Sequence, residues 1–290
     1  MHSSLFIFGL VFLVATLVQA LPINKRDGSL YGVTYTGLNP DGSCQSPAQV
    51  LKSMQTFKKH GIMNVRTYSQ ECDQLPHILD AMQKTDPAMT VLAAVWIEGS
   101  DRDEKEIKQL QKVLESGKNR HAIRGITVGN EVVFKNHMDP GSLVEKMKTV
   151  KGIASKYGIK VGTVETADTY TDELIDASDL VVVNIHPFFQ PVKISDAADA
   201  FVKQYNAFKK KAHGKEVLVG ETGWPSAGDS NGPAVPSVEN MATYVNGITK
   251  TDIPYYFFEA QDASWKGDGH LSVEPHWGLE NHSGNFKFAT

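Results

Sequence analysis

Two short segments raise the same chemical question. ITVGNEVVF, residues 126–134, is a β-type apolar run that stops at Gly129-Asn130-Glu131. EVLVGETGWP, residues 216–225, stops in the same way at Gly220-Glu221-Thr222. A carboxylate where a buried strand surfaces is costly to desolvate unless it has partners or a task. Two carboxyls in unlike environments can share a reaction. One gives a proton to a leaving oxygen, and the other, ionised, attacks carbon.

Elements must hold the two together. Eight apolar, β-branched runs recur, at 30–35, 64–69, 90–97, 123–130, 160–166, 180–188, 216–222 and 253–261. Their interiors are nearly continuous in apolar character, as expected of strands covered on both faces. Between them, 46–61, 101–117, 139–158 and 195–214 have helical spacing and end on glycine. Strands alternating with helices imply parallel pairing through right-handed crossovers. The pattern predicts an α/β, single-domain (β/α)8 TIM barrel over 27–290. A doubly wound sheet is the alternative, but GVTYTGLNP after the first run has no GxGxxG turn.

In such a barrel the site forms at the C-terminal strand ends. Those ends carry Tyr35, then Arg66 with Tyr68, then Trp96 with Glu98, then Asn130 with Glu131. They continue with Glu165, with Asn184, His186 and Phe188, with Glu221 and Trp224, and with Glu259, Asp262 and Trp265. Aromatic faces stack on sugar rings, and amides and carboxylates bind hydroxyls, so the inventory suits carbohydrate. Glu98 and Glu165 fit structural or rim roles better than catalytic ones. His186 fits a hydrogen bond in the mouth better than a base. Trp96 and Phe188 are open to either a sugar-facing or a core position.

The motifs also resemble a known family. VGNE, GETGWP, RTYS at 66–69 and FEAQDASWK at 258–266 are similar to the signatures of glycoside hydrolase family 17, in its short fungal β-1,3-glucanase and glucanosyltransferase branch. The likeness spans the chain from 27 onward. It implies a retaining enzyme acting on β-1,3-glucan or laminari-oligosaccharides, with Glu131 as acid/base and Glu221 as nucleophile. It implies that Asn130 binds the hydroxyl beside the cleaved bond and that Tyr35, Tyr68 and Glu259 line the same subsite. Trp265 would stack on a neighbouring ring, and Phe188 and Trp224 are further substrate-binding candidates. Gln261 and Ala263 depart from the acidic, Phe-containing form common in that branch. The resemblance leaves open whether transfer or hydrolysis dominates, and whether hydrolysis is endo or exo.

The rest of the chain sets the context. Net charge is −4, so no basic face points to nucleic acid. Residues 5–20 are apolar and end in Val18-Gln19-Ala20, which predicts a signal peptide over 1–20. That run is short for a bilayer span, and an uncleaved anchor is the lesser alternative. Residues 21–26 end in Lys25-Arg26, which predicts a propeptide and a mature start at Asp27. The expectation is a secreted monomer, extracellular or in the cell wall, with no membrane span in the mature chain. Cys44 and Cys72, the two cysteines, follow neighbouring strands and are expected to form a disulfide. Asn281-His282-Ser283 is a glycosylation sequon. No CxxC or HExxH occurs, so neither metal nor cofactor is expected. GDSNG at 228–232 matches a serine-esterase elbow, but its flanks read as loop. A non-catalytic glucan-binding protein would need no second carboxylate.

Overall fold

The computed structural model describes residues 28–288; the expected signal peptide, dibasic site and mature start lie outside them. The strands are β1 (Gly32–Thr34), β2 (Asn64–Arg66), β3 (Thr90–Val95), β4 (Ile123–Val128), β5 (Val161–Gly162), β6 (Val164–Thr166), β7 (Val181–Asn184), β8 (Val217–Thr222) and β9 (Tyr255–Phe257). All pairs are parallel, in the order β5-β4-β3-β2-β1-β9-β8-β7-β6.

Nine strands arise from eight because the fifth is broken at Thr163. Its first half pairs with β4 and its second half with β7, so residues 161–166 close the barrel. The break is satisfied locally. Thr163 Oγ1 donates to Val128 O at 2.8 Å, and Tyr170 Oη donates to Thr163 O at 3.1 Å. Gly162 is required there, since a Cβ would stand 2.0 Å from Leu180 O.

Helices cover the outside. The four expected ones appear as α1 (Pro47–Lys59), α3 (Asp101–Ser116), α4 (Pro140–Ala154) and α6 (Ile194–Lys209). Ser46 opens α1 with a capping box. Its hydroxyl takes the Gln49 amide, and Gln49 takes the Ser46 amide at 2.9 Å. Asp139 opens α4 by accepting from Ser142 N at 3.0 Å. Three further helices complete the layer: α2 (Gln74–Thr85), α5 (Asp172–Ala177) and α7 (Val238–Ile248). After β9 the chain forms short 3₁₀ turns instead of an eighth helix among the described residues.

Cys44 and Cys72 are bonded, with Cα atoms 5.5 Å apart. The bridge ties the loop after β1 to the loop after β2, both at the mouth. Among the described residues no helix is long and apolar enough to cross a membrane.

Candidate active site

The barrel mouth is organised around Arg66, at the end of β2, with 0% exposure. Its Nη1 donates to Gly220 O at 2.9 Å and to Glu221 Oε1 at 3.0 Å. Its Nη2 donates to Asn130 Oδ1 at 2.7 Å. One planar fork therefore fixes the end of β8 and the end of β4 together. Asn184, from β7, completes the link. Its Nδ2 donates to Glu131 Oε1 at 2.9 Å and lies 3.2 Å from Asn130 Oδ1. Glu131 and Glu221 are thus joined through a single network of side chains.

The two carboxyls differ in environment. Glu221 is 6% exposed. Burial alone would push its pKa up, but the His186 hydrogen bond and the Arg66 charge overcome this and hold it far below the usual carboxylate range. His186 Nε2 is 3.2 Å from Glu221 Oε2. With the carboxylate ionised, that nitrogen carries the proton and donates. Glu131 is half-buried and paired more loosely, with Lys135 Nζ 3.4 Å from Oε2.

Glu131 also has an unusual backbone. Its φ is 56°, in the left-handed region, which costs about 1–2 kcal/mol for a residue with a side chain. The surrounding loop fixes it there. Glu131 N donates to Val164 O at 2.8 Å, and Lys135 N donates to Glu131 O at 2.9 Å. Gly129 permits the turn: its φ is 75°, and a Cβ would come 2.4 Å from Val132 Cγ2. Glu165 holds the far side, accepting from Val133 N at 2.8 Å, Phe134 N at 3.2 Å and Thr169 Oγ1 at 2.9 Å. Its reading as a structural carboxylate agrees with these contacts.

A narrow cleft runs beside this network, lined by Thr34, Tyr35, Gln45, Glu259, Gln261 and Trp265. Tyr35 Oη donates to Gln45 Oε1 in the cleft wall. Glu259 follows a cis Phe258–Glu259 peptide, and Lys266 Nζ contacts its Oε1 at 2.6 Å. Burial raises the Glu259 carboxyl to about 7 against the pull of Lys266. Trp265 stands at the rim, 44% exposed. Tyr68 packs its ring 4.6 Å from the Arg66 guanidinium carbon.

Two expected sugar-facing aromatics are elsewhere. Phe188 and Trp224 are both 0% exposed, with ring centroids 5.4 Å apart. Trp224 Nε1 donates to Val235 O at 2.9 Å, so its polar edge is spent inside the protein. Both are corrected from surface contacts to core supports, because each packs among buried rings, Phe188 against Trp277 and Trp224 against Tyr244. The exposed aromatic in that region is Phe189, at 44%. Asn281 is half-buried, and its side-chain oxygen accepts from Ser283 N and Asn285 N. Lys135 and Lys266 were not among the expected site residues. Lys135 is four residues after Glu131 and Lys266 is adjacent to Trp265, so spacing was the signal available. The GDSNG segment lies in the loop between β8 and α7, without the strand-to-helix geometry an esterase elbow needs.

Comparison with known proteins identifies relatives in sequence and in fold. A model described as the BtgE/BtgC glycoside hydrolase domain matches residues 32–278. The probable family 17 glucosidase SCW10 of Saccharomyces cerevisiae is 31% identical over 256 residues, 86% of this chain and 64% of that protein. The probable β-glucosidase btgE of Aspergillus flavus is 30% identical over 257 residues, 87% of this chain and 42% of that protein. The chain therefore spans less than two thirds of these relatives. Among solved structures, the family 17 β-1,3-glucanosyltransferase of Rhizomucor miehei superposes with a TM-score of 0.80 at 28% identity, covering 90% of this chain and 96% of that one. An active-site mutant of the Rhizomucor miehei β-1,3-glucanosyltransferase, in complex with laminaritriose, gives 0.79 at 28% identity, covering 88% and 94%. An endo-laminarinase from Formosa, at 18% identity and TM-score 0.74, shares the fold. With its barrel, its two strand-end glutamates and the match over 32–278, the chain belongs to glycoside hydrolase family 17, in the BtgE/BtgC glycoside hydrolase domain group.

Proposed function

We propose that the protein is a secreted, retaining enzyme of β-1,3-glucan that transfers glucan chains as well as hydrolysing them. The observation that carries this reading is the joined pair of unlike carboxyls. Glu221 is held ionised by Arg66 and His186, as a nucleophile must be. Glu131, on the strand end linked to it through Asn130 and Asn184, is the acid/base.

The steps follow. Glu221 attacks the anomeric carbon while the glycosidic C–O bond breaks and the Glu131 proton passes to the leaving oxygen. In the second step water or a sugar hydroxyl attacks the glycosyl ester. Glu131 takes its proton, and the Glu221 carboxylate is released. Asn130 has its oxygen engaged by Arg66 and Asn184, which leaves its Nδ2 to donate to the sugar hydroxyl beside the reacting carbon. Tyr35, Tyr68 and Glu259 line the donor side, and Trp265 is the platform for a neighbouring ring.

Two observations favour transfer. Trp265 is an exposed aromatic surface in the cleft lining, suited to an acceptor ring. The connection from β7 to α6 is only a 3₁₀ turn at Pro187–Phe189 and a few residues, too short to carry a folded insertion over the mouth. No cofactor enters this chemistry. A signal peptide over 1–20, a propeptide over 21–26, a monomeric state, an extracellular or cell-wall location and glycosylation at Asn281 belong to the same reading. The test is a time course on millimolar laminari-oligosaccharide. Products longer than the substrate, appearing before shorter ones dominate, support transfer. Only shorter products at every concentration leave a hydrolase, endo or exo.

A further inference from the structure

The last barrel strand, β9, has no helix behind it, and residues 258–288 are loop, isolated bridges and three short 3₁₀ turns. Val273, Trp277 and Leu279 anchor the segment in the core, and polar ties between its turns add to that packing. The Lys287 Nζ to Asp262 Oδ1 ion pair, at 2.7 Å, is one such tie. Beside it, Asp262, His276 and His282 bring one ligand atom each within 4.8 Å of one another. We propose that these three side chains form a divalent transition-metal site, suited to Zn²⁺, that staples the C-terminal tail to the loop after β9.

The donor set supports the metal class. Two imidazoles and one carboxylate with room for water are zinc chemistry, whereas Mg²⁺ and Ca²⁺ want oxygen. The three residues come from three separate pieces of chain: the loop after β9, the Glu274–His276 turn and the terminal segment. A bound ion would therefore add a cross-link to the backbone bonds that already join these pieces, such as Asp262 N to Glu280 O and Ala263 N to Pro275 O.

The surroundings are arranged for it. Asp262 is 5% exposed and uses Oδ1 for Gly278 N, at 3.0 Å, and for Lys287. Its Oδ2 is left for an ion. Ser264 Oγ lies 3.1 Å from His282 Nδ1, an outer partner that orients the ring and leaves Nε2 to coordinate. Asn281 Oδ1 accepts from Ser283 N at 2.9 Å and Asn285 N at 3.1 Å, which fixes the turn bearing His282. Zn–N and Zn–O bonds of about 2.0–2.1 Å in a tetrahedron put ligand atoms about 3.4 Å apart, so the cluster closes with a modest inward shift. His282 is exposed and can make it. The Lys287 ammonium on the same carboxylate repels a second cation, so affinity is below that of a closed structural zinc site. His276 and His282 have the H-x5-H spacing of a zinc half-site, but no CxxC accompanies them, and Asp262 joins them only through the fold.

The experiment uses the purified, untagged protein, stripped with chelator. Zn²⁺ is titrated calorimetrically, thermal unfolding is followed with Zn²⁺ or Mg²⁺, and Co²⁺ serves as the optical probe. The expected result is one Zn²⁺ per chain, a Tm rise with Zn²⁺ and none with Mg²⁺, and the intense visible bands of four-coordinate Co²⁺. His282→Ala removes an exposed ligand without touching the core. It should weaken Zn²⁺ at least tenfold and abolish the Tm rise and the Co²⁺ bands. His270→Ala, an exposed histidine of the same segment, should leave all three unchanged. Absence of Zn²⁺ binding, or binding that survives His282→Ala, overturns the proposal.

Discussion

At the residue scale, Glu221 and Glu131 make opposite demands. Glu221→Ala removes the proposed nucleophile and should lower glucan cleavage below about 10⁻³ of the parent. Azide should restore reaction of an activated donor and give a product of inverted anomeric form. Glu131→Gln should cost about 10²–10⁴-fold on natural glucan and far less on a β-glycoside with a good leaving group, which needs little protonation. Equal losses on both substrates would contradict the acid role. The pair was legible in the sequence because each glutamate stands where an apolar run stops. The aromatic shell was not. Phe188 and Trp224 share the composition of sugar platforms, and only their packing against Trp277 and Tyr244, which lies in tertiary structure, assigns them to the core.

At the element scale, the loop from Gly129 to His137 holds Glu131, the proposed acid, in a left-handed conformation. Glu165 on β6 anchors it through two amides and a hydroxyl. Glu165→Gln keeps the size but loses the charge those donors share, a loss of about 1.5–3 kcal/mol. The expected outcome is a kcat on natural glucan lowered roughly tenfold, KM little changed, and activated β-glycosides spared. A variant that merely lost folded protein would lose rate on natural glucan and on activated β-glycosides in parallel. The Cys44–Cys72 bond closes the loops after β1 and β2. Replacing both cysteines with serine should cost about 2–4 kcal/mol in denaturant unfolding. Strand β5/β6 shows the limit of periodicity. Residues 160–166 read as one strand, yet the chain must change partners at Thr163, where its own hydroxyl bonds Val128 O and Tyr170, from outside the run, bonds its carbonyl.

At the scale of the whole molecule, the barrel was legible because buried strands and capped helices alternate. The C-terminal segment was less so, since it has neither period. Glu280 in that segment is a useful probe. Burial raises its carboxyl to about 7, opposed by Lys52. A folded-state pKa above the unfolded value favours the folded form below about pH 4.5, and that advantage is lost as pH rises through 7. Glu280→Gln should therefore raise Tm relative to the parent at pH 8, with the gap closing at pH 4. A constant gap would mean that the carboxyl does not titrate differently on folding.

The central claim is that one barrel end carries a nucleophile at Glu221 and an acid/base at Glu131. A 2-deoxy-2-fluoro-β-laminaribiosyl fluoride reacts with a retaining nucleophile and leaves slowly, so the covalent intermediate accumulates. Digestion and peptide mass spectrometry of the trapped protein should place one disaccharide on Glu221. A label on Glu131, or inverted product with no trapped sugar, would contradict the account.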